Sequence, residues 1–415
     1  MQKINPFTPN NPVSAGMFAG RLSEIIALEK GLFQTKNGFP NNYLITGERG
    51  IGKSSLMIYL KYISCGDIES LEHGKFNFIT VNTVLSEKSD LGIFIRLIEK
   101  KIMREIGKLE KVRKFLADTW SFVQRIKIMD SGISESQREQ EIDILIDDFA
   151  YSLAETCNRI TKPEKDEEKR DGIIFIIDEA DNASESLRIG YFFKTVTELL
   201  QQNGCNNIMF IVVGLPEVVE KLSSSHESSV RIFTSLKINE LNMIDREYVI
   251  NKGIEEGNKI NDEKTSITKE AISHISKLSE GYPHFIQQFA FSAFDYNSDG
   301  EINDEDVLEA AIREGGAIDA IGNKYYANSF HDKIKSDEYR QVLSIMAEEM
   351  NSWIKKAEIR KKFIGDDSTL SNALQALTSR KIILRNSSRM GEYRLQQRGF
   401  ALWIKLFGNR AKTII

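Results

Sequence analysis

Residues 47–54 read Gly-Glu-Arg-Gly-Ile-Gly-Lys-Ser and match the pattern Gly-x-x-x-x-Gly-Lys-Ser. Glycines let the backbone fold around phosphate oxygens with consecutive N–H groups pointing inward, and a helix that follows adds its N-terminal dipole. At this spacing the lysine reaches the β- and γ-phosphates of a nucleotide, and the serine hydroxyl ligates Mg²⁺. A short strand, 43–46, precedes the segment and a helical stretch, 54–63, follows it, as a phosphate-binding loop requires. The predicted phosphate-binding residues are Gly47, Glu48, Arg49, Gly50, Ile51, Gly52, Lys53, Ser54 and Ser55.

A second segment carries two adjacent carboxylates. The apolar run 173–177 ends in Asp178 and Glu179. Next to a phosphate-binding loop, the first carboxylate would hold Mg²⁺ through water and the second would polarise the attacking water as a general base. The alternative is a buried strand that ends in two surface acids. The upstream loop favours the catalytic interpretation, in which Ser54 and Asp178 hold the metal while Lys53 and Glu179 act on the phosphate and the water.

Residues 295–306 resemble a calcium-binding loop. Acidic or Asn side chains fill positions one, three and five and glycine fills position six, but position twelve is Asp306 rather than a bidentate glutamate. The same residues also suit a turn at 297–300 and a helix N-cap at Asn303 or Asp304. Both interpretations stay open from the sequence alone.

The composition bounds the class of protein. A chain of 415 residues is expected to form two or three domains. The net charge is −5, yet residues 335–415 hold 16 Lys+Arg against 8 Asp+Glu, which suggests a polyanionic partner for the C-terminal part. Cys65, Cys157 and Cys205 lie far apart and are expected to be reduced thiols. No stretch reaches the ~18 apolar residues of a membrane span, and the first residues lack a signal-peptide pattern, so we expect a cytoplasmic protein without membrane contact.

The distribution of apolar residues predicts an α/β fold. Four predicted strands are the runs 43–46, 76–81, 173–177 and 208–213. Their continuous apolar character and their alternation with helices are typical of a doubly wound parallel sheet. A further strand and hairpin are suggested by the alternation in 122–128. After residue 240 the predicted elements are helices. The predicted domains are a nucleotide-binding core (1–239), an all-α lid (240–318), a linker (319–334) and a winged helix (335–415).

The winged-helix prediction depends on residues 368–379, the candidate recognition helix. Leu370, Leu374 and Leu377 fall on one face of it. The residues predicted to face outward are Ser371, Asn372, Gln375 and Ser379. Small polar side chains can contact base edges, and the basic wing with Arg385, Arg389 and Arg394 can contact phosphates of double-stranded DNA. The alternative is a winged helix that packs against protein.

Together these motifs resemble the AAA+/STAND branch of P-loop ATPases, near the origin-recognition type and the prokaryotic AAA-16 group. The resemblance spans nearly the whole chain. It is carried by Asn-Pro-Phe at 5–7, by Phe-Ala-Gly-Arg at 18–21, by Ile-Ile-Asp-Glu-Ala-Asp at 176–181, by Gly-Tyr-Pro-His-Phe at 281–285, and by the C-terminal winged helix. It implies ATP and Mg²⁺ as ligands, an adenine framed by Phe18 and Arg21, and lid contacts from Pro283 and His284.

Two departures from the family pattern bear on the rate of hydrolysis. The fourth strand ends Val213-Gly214-Leu215, without the polar residue that AAA+ enzymes carry there. His284 stands where relatives place an arginine, and a neutral imidazole is a weaker partner for the γ-phosphate. Both features predict slow turnover or a nucleotide-dependent switch.

Arg231 is a candidate arginine finger. It lies after the fourth strand and before the lid, where an arginine of the resembling family reaches the ATP of a neighbouring subunit. This interpretation predicts a homo-oligomer with ATP at the interface. The alternative is a surface arginine at a helix end.

Two functions are compatible with these residues. The first is an ATPase whose nucleotide state controls assembly, docked on DNA through the winged helix. The second is a signalling or scaffold switch that acts through a protein effector, with little hydrolysis and no DNA binding. Stimulation of turnover by DNA and salt-sensitive DNA binding are expected only of the first.

Overall fold

The chain divides into two compact units. The structure, a computed structural model, describes residues 3–11, 20–106, 110–128, 135–163, 169–327, 330–331, 334, 336–349, 352–380, 382–386 and 389–408. One unit comprises Ser14–Asn239, and the other combines Met1–Val13 with Glu240–Ile415. Phe18 lies outside the described residues.

A five-stranded sheet forms the centre of the first unit. The strands are β1 (Asn42–Thr46), β2 (Ile79–Val84), β3 (Ile173–Asp178), β4 (Ile208–Gly214) and β5 (Phe233–Lys237). Their order is β2-β3-β4-β1-β5, and every neighbouring pair is parallel. The strands β3 and β4 are buried along almost their whole length, which explains their continuous apolar sequence. The carboxyl ends of β1, β3 and β4 therefore meet at one edge of the sheet.

Helices cover the sheet. They are α1 (Leu22–Lys36), α2 (Lys53–Cys65), α3 (Leu91–Ile106), α4 (Glu110–Thr119), α5 (Glu135–Thr161), α6 (Ile189–Gln202) and α7 (Val218–Ser225). Phe94 of α3 and Phe192 and Phe193 of α6 pack edge to face, and Phe193 also contacts Phe210 of β4. The α/β prediction for this unit is confirmed.

The strand predicted at 122–128 is wrong. Residues Ser121–Ile128 form a 3₁₀ helix. Its turn of three residues brings Val123 and Ile126 to the same buried face. Alternation over so few residues fits a short helical turn as well as a strand. The hairpin suggested at 130–132 lies outside the described residues.

The second unit begins with a helical lid. Its elements are α8 (Met243–Ile260), β6 (Ser266–Ile267), α9 (Lys269–Leu278), α10 (Pro283–Tyr296), β7 (Glu301–Ile302), α11 (Asp304–Ile312) and α12 (Ala317–Tyr325). The N-terminal segment packs on it, although the sequence scheme counts that segment with the core. The ring of Phe7 is buried beside Gly253 of α8, and Asn5 Nδ2 donates to Phe291 O at 3.0 Å.

The C-terminal part alternates helices with a small antiparallel sheet. Its elements are α13 (Asp337–Glu348), β8 (Ile354–Lys355), α14 (Lys356–Lys362), α15 (Asp367–Ser379), β9 (Ile383–Arg385), β10 (Glu392–Leu395) and α16 (Arg398–Phe407). The strand order is β8-β10-β9. Most of the segment predicted as a linker is helix α12 or buried, because Gly322 packs on Trp403 and Tyr326 Oη donates to Gln397 Oε1 at 2.7 Å. The domain boundaries themselves stay predictions.

Candidate functional site

The phosphate-binding loop lies between β1 and α2. Gly50 and Gly52 have φ angles of 79° and 95°, a left-handed backbone that favours glycine. Gly52 is the N-cap of α2, so the helix begins at Lys53 and its first N–H groups face the loop. Ser55 lies in the first turn of the same helix. At Gly47 a Cβ atom would approach Ile238 O to 3.0 Å, so the loop also needs glycine where it leaves the strand.

The Lys53 ammonium is bound within the loop. Its Nζ donates to Gly47 O at 2.7 Å and to Glu48 O at 2.9 Å. Burial lowers the pKa of Lys53, and the carboxylates of Asp178 and Asp181 act in the opposite direction. The Lys53 ammonium is therefore partly buried and bonded to backbone carbonyl oxygens of the loop. A nucleotide phosphate would replace these oxygens as its partner.

Ser54 and Asp178 form a pair of oxygens from two elements. Ser54 Oγ donates to Asp178 Oδ2 at 3.3 Å. Ser54 is in the first turn of α2 and Asp178 is the last residue of β3. Hydroxyl and carboxylate oxygens suit a Mg²⁺ ion that keeps several waters, so this pair fits the metal that the sequence predicts.

Glu179 follows directly with an unusual backbone. Its φ is 54°, in the left-handed region that costs a residue with a side chain about 1 kcal/mol. The Glu179 N–H donates to Asp178 Oδ1 at 2.9 Å, and Asn182 Nδ2 donates to Glu179 Oε2 at 3.3 Å. The sharp turn holds the two carboxylates next to each other at the end of β3. Asn182 is a partner that the sequence analysis did not identify.

Arg21 supports the loop from outside it. Its Nη2 donates to Ile51 O at 2.9 Å, and its Nη1 lies 3.5 Å from Glu24 Oε1. The residue is 6% exposed. This contact stabilises the backbone of the phosphate-binding loop. The adenine role that the family resemblance implies for Arg21 stays a prediction.

Arg231 lies at the opposite edge of the sheet. It belongs to a 3₁₀ turn, Ser229–Ile232, that leads into the amino end of β5, and its side chain is exposed. Strand β5 is parallel to β1, with Phe233 opposite Asn42 and Lys237 opposite Thr46. Since the phosphate-binding loop follows the other end of β1, Arg231 is separated from the loop of its own chain by the length of a strand, roughly 16 Å.

Pro283 and His284 begin helix α10 in the second unit. Pro283 occupies the first position of the helix, where its missing N–H is not needed. The His284 ring packs against Tyr325 of α12, with 5.1 Å between ring centroids. Residues 281–285, which carry part of the family resemblance, therefore contribute to an aromatic cluster that extends from α10 to α12.

The loop 295–306 forms hydrogen bonds within itself and also with the N-terminal segment, because Asn5 Nδ2 donates to Asp295 Oδ1 at 2.7 Å. Asn303 and Asp306 form a reciprocal capping box at the start of α11. Asn297 Nδ2 donates to Asp299 Oδ1 at 2.7 Å and to Asp306 Oδ2 at 3.1 Å. Among the described residues, no group of three or more His, Cys, Asp or Glu side chains could hold a metal ion. The geometry shows the turn and the helix cap that the sequence suggested.

The C-terminal part carries a groove of about 350 Å³. Its lining residues are Lys356, Ser371, Leu374, Gln375, Thr378, Ser379, Arg385 and Tyr393. The lining includes two cations and no acidic residue. Two of the lining residues are hydrogen-bonded to each other, since Lys356 Nζ donates to Ser371 Oγ at 2.8 Å.

The two faces of helix α15 agree with the sequence pattern. The residues predicted to face outward, Ser371, Asn372, Gln375 and Ser379, are exposed. The three leucines of the opposite face are buried. The arginines of the predicted wing have different surroundings. The Arg394 guanidinium stacks on the Trp353 ring at 5.0 Å, whereas Arg385 lines the groove. Thr378 and Tyr393 are groove residues that the sequence analysis did not identify.

No helix in the described part of the chain is both long and apolar enough to cross a bilayer. The sheet order, the loop after β1 and the carboxylates after β3 define a P-loop AAA+ fold.

Comparisons with known proteins agree with that fold. No family model and no curated protein matches the chain. The structure of the ORC2 protein of Aeropyrum pernix in ADPNP–ADP complexes is similar, with 15% identity, a TM-score of 0.55 and coverage of 98% of each chain. The ADP form of that protein (14% identity, 95% of this chain and 93% of that one) and the A. pernix ORC1 protein in complex with DNA (13% identity, 96% and 94%) have TM-scores of 0.48 and 0.43, too low to support an inference.

Proposed function

We propose that this protein binds ATP with Mg²⁺ and hydrolyses it slowly, and that its nucleotide state controls assembly. The observation that carries the proposal is the convergence of the Lys53 loop, Ser54, Asp178 and Glu179 at one edge of the sheet. A P-loop protein needs these four functions together: a phosphate cradle, two metal contacts and a base. The choice of an adenine nucleotide is supported by the family resemblance and by ADPNP and ADP, the nucleotides named for the similar ORC2 structure.

Each residue has a defined task in this proposal. Lys53 exchanges its loop carbonyl partners for the β- and γ-phosphate oxygens. Ser54 and Asp178 hold Mg²⁺, which neutralises phosphate charge when it is bound. Glu179 accepts the proton of the attacking water. The slow rate rests on Gly214, which offers no side chain at the end of β4, and on the family resemblance, which implies an arginine where this chain has His284.

We also propose that the C-terminal part is a winged helix that docks on double-stranded DNA. The groove beside α15 supports this, because Lys356 and Arg385 can meet phosphates while Ser371 and Gln375 lie on the exposed face of the helix. Phosphate contacts of this kind position a protein on DNA without fixing a sequence preference.

A protein effector is the second candidate partner. It is favoured by two apolar side chains of the C-terminal part, Ile364 and Met390, which are 80% and 89% exposed. A large exposed apolar side chain at a loop tip suits insertion into a protein pocket. Under this function the protein would be a nucleotide-dependent switch with little hydrolysis.

Steady-state ATP turnover with and without duplex DNA at modest salt tests the choice. For a DNA-docked ATPase we expect stimulation by DNA, and we expect Lys356→Ala with Arg385→Ala to weaken DNA binding about tenfold and to flatten its salt dependence, because two phosphate contacts are lost. Lys259→Ala, a substitution of an exposed lysine on α8, is the matched control. Equal turnover with and without DNA, together with unchanged binding by the double variant, would favour the effector switch.

A further inference from the structure

The end of β4 lacks a side chain at Gly214, and the structure has a carboxylate in that space. A Cβ atom added at Gly214 would lie 2.8 Å from Asp181 Oδ1 and 3.2 Å from Asp181 N. Separations below 3 Å are closer than such atoms approach, so the Asp181 carboxylate and a side chain at residue 214 exclude each other. The Asp181 carboxylate can occupy this space only because residue 214 is a glycine without a side chain.

Asp181 is bonded to the loop that follows β4. Its Oδ1 accepts a hydrogen bond from Leu215 N at 2.9 Å. The residue lies in the 3₁₀ turn Ala180–Asn182, which Glu179 opens and in which Ala180 is fully buried. A second hydrogen bond joins the segments after β3 and β4, because Lys221 Nζ of α7 donates to Ala183 O directly after the turn. The Leu215 bond therefore fixes one carboxylate oxygen, and the Lys221 bond holds the backbone that follows the turn.

The charge of Asp181 acts on the nucleotide site. With Asp178, it raises the pKa of the Lys53 ammonium against the effect of burial. The geometry agrees, since Asp181 lies in the turn directly after the carboxyl end of β3, at the edge of the sheet where β1 leads into the phosphate-binding loop. Its first oxygen is used by Leu215, which leaves the second oxygen, Oδ2, to accept a hydrogen bond from water.

We propose that Asp181 is a positioning residue that replaces the polar side chain absent from β4. It fixes the loop after β4 and, with Glu179, orients the attacking water through Oδ2. In hydrolysis the water oxygen bonds to the γ-phosphorus, the bond from that phosphorus to the ADP oxygen breaks, and the water proton passes to Glu179. Asp181 positions the water and takes no part in the transfer of its proton. This inference rests on the proposed ATPase function.

The variant Asp181→Asn separates this role from a purely structural one. The amide can keep the Leu215 bond through Oδ1, but it removes the charge and turns the second acceptor into a donor. We expect kcat to fall about tenfold or more with little change in KM. We also expect ATP without Mg²⁺ to bind about three- to tenfold more tightly, because a repulsive charge near the phosphates is gone.

The matched control is Asp171→Asn. Asp171 Oδ2 also accepts a backbone bond, from Asn77 N at 2.8 Å, but it precedes β3 at the opposite edge of the sheet. The same loss of charge there should leave kcat and Mg²⁺-free ATP affinity unchanged. A second variant, Gly214→Ala, keeps every charge and displaces the Asp181 carboxylate sterically, so it should lower kcat like Asp181→Asn.

The outcomes are distinguishable. Wild-type kcat and wild-type Mg²⁺-free affinity in both Asp181→Asn and Gly214→Ala would overturn the inference and leave Asp181 a structural tie. A wild-type protein without turnover would contradict the proposed hydrolysis, and the Mg²⁺-free affinity would then decide whether Asp181 faces the nucleotide. Should Asp181→Asn unfold at a lower temperature than wild type, Gly214→Ala provides the deciding rate.

Discussion

At the scale of single residues, the site depends on groups from separate parts of the chain that meet at one edge of the sheet. Lys53 and Ser54 begin α2, whereas Asp178 and Glu179 end β3. The sequence motifs predicted these four because each motif is local. Asp181 and Asn182 were missed, since their importance comes from contacts with Leu215 and Glu179 that no spacing rule contains.

The substitutions Lys53→Ala and Glu179→Gln should separate binding from turnover. Lys53→Ala removes the cation that meets the phosphates, so we expect nucleotide binding to weaken by about a hundredfold or more. Glu179→Gln preserves shape and loses the base, so it should bind ATP like wild type and hydrolyse it about a hundredfold more slowly. Calorimetric binding and phosphate release measure the two effects. Wild-type hydrolysis by Glu179→Gln would contradict the role of Glu179.

At the scale of elements, the sequence predicted the strands best where both faces of the strand are buried. The apolar runs of β3 and β4 identified central parallel strands because helices cover both faces. The strand prediction failed at 122–128, where a short alternation is compatible with a 3₁₀ turn. The packing of the N-terminal segment on α8 leaves no local signal, because the burial of Phe7 beside Gly253 joins positions far apart in sequence.

Helix α12 shows how strongly the lid and the C-terminal part of the second unit pack together. A Cβ atom at Gly322 would lie 1.7 Å from Trp403 Cδ1, and Trp403 is 2% exposed. We therefore expect Gly322→Ala to destabilise this unit by about 1–3 kcal/mol, although alanine favours helix, because overpacking forces the indole to move. Thermal unfolding measures the change. Asn323→Ala, on the exposed side of the same helix, is the control, and equal melting of both variants would contradict the tight contact.

At the scale of the whole molecule, the candidate arginine finger, Arg231, lies too far from the phosphate-binding loop of its own chain to contact a nucleotide there. Arg231 is exposed at the amino end of β5, and the phosphate-binding loop follows the carboxyl end of the parallel strand β1. An arginine in that place can act only on the nucleotide of another copy. If Arg231 acts on a nucleotide, the proposed homo-oligomer would place each ATP between a Glu179 of one copy and an Arg231 of the next.

Mixing two inactive variants tests that arrangement. Arg231→Ala alone should lower turnover about a hundredfold or more, while Arg104→Ala, a substitution of an exposed arginine in the last turn of α3, should not. A mixture of Arg231→Ala and Glu179→Gln should recover up to about a quarter of the wild-type rate, because random assembly gives some interfaces an intact glutamate and an intact arginine. No recovery under conditions where the copies exchange, or full activity of Arg231→Ala alone, would show that Arg231 is a surface residue and that hydrolysis occurs within one chain.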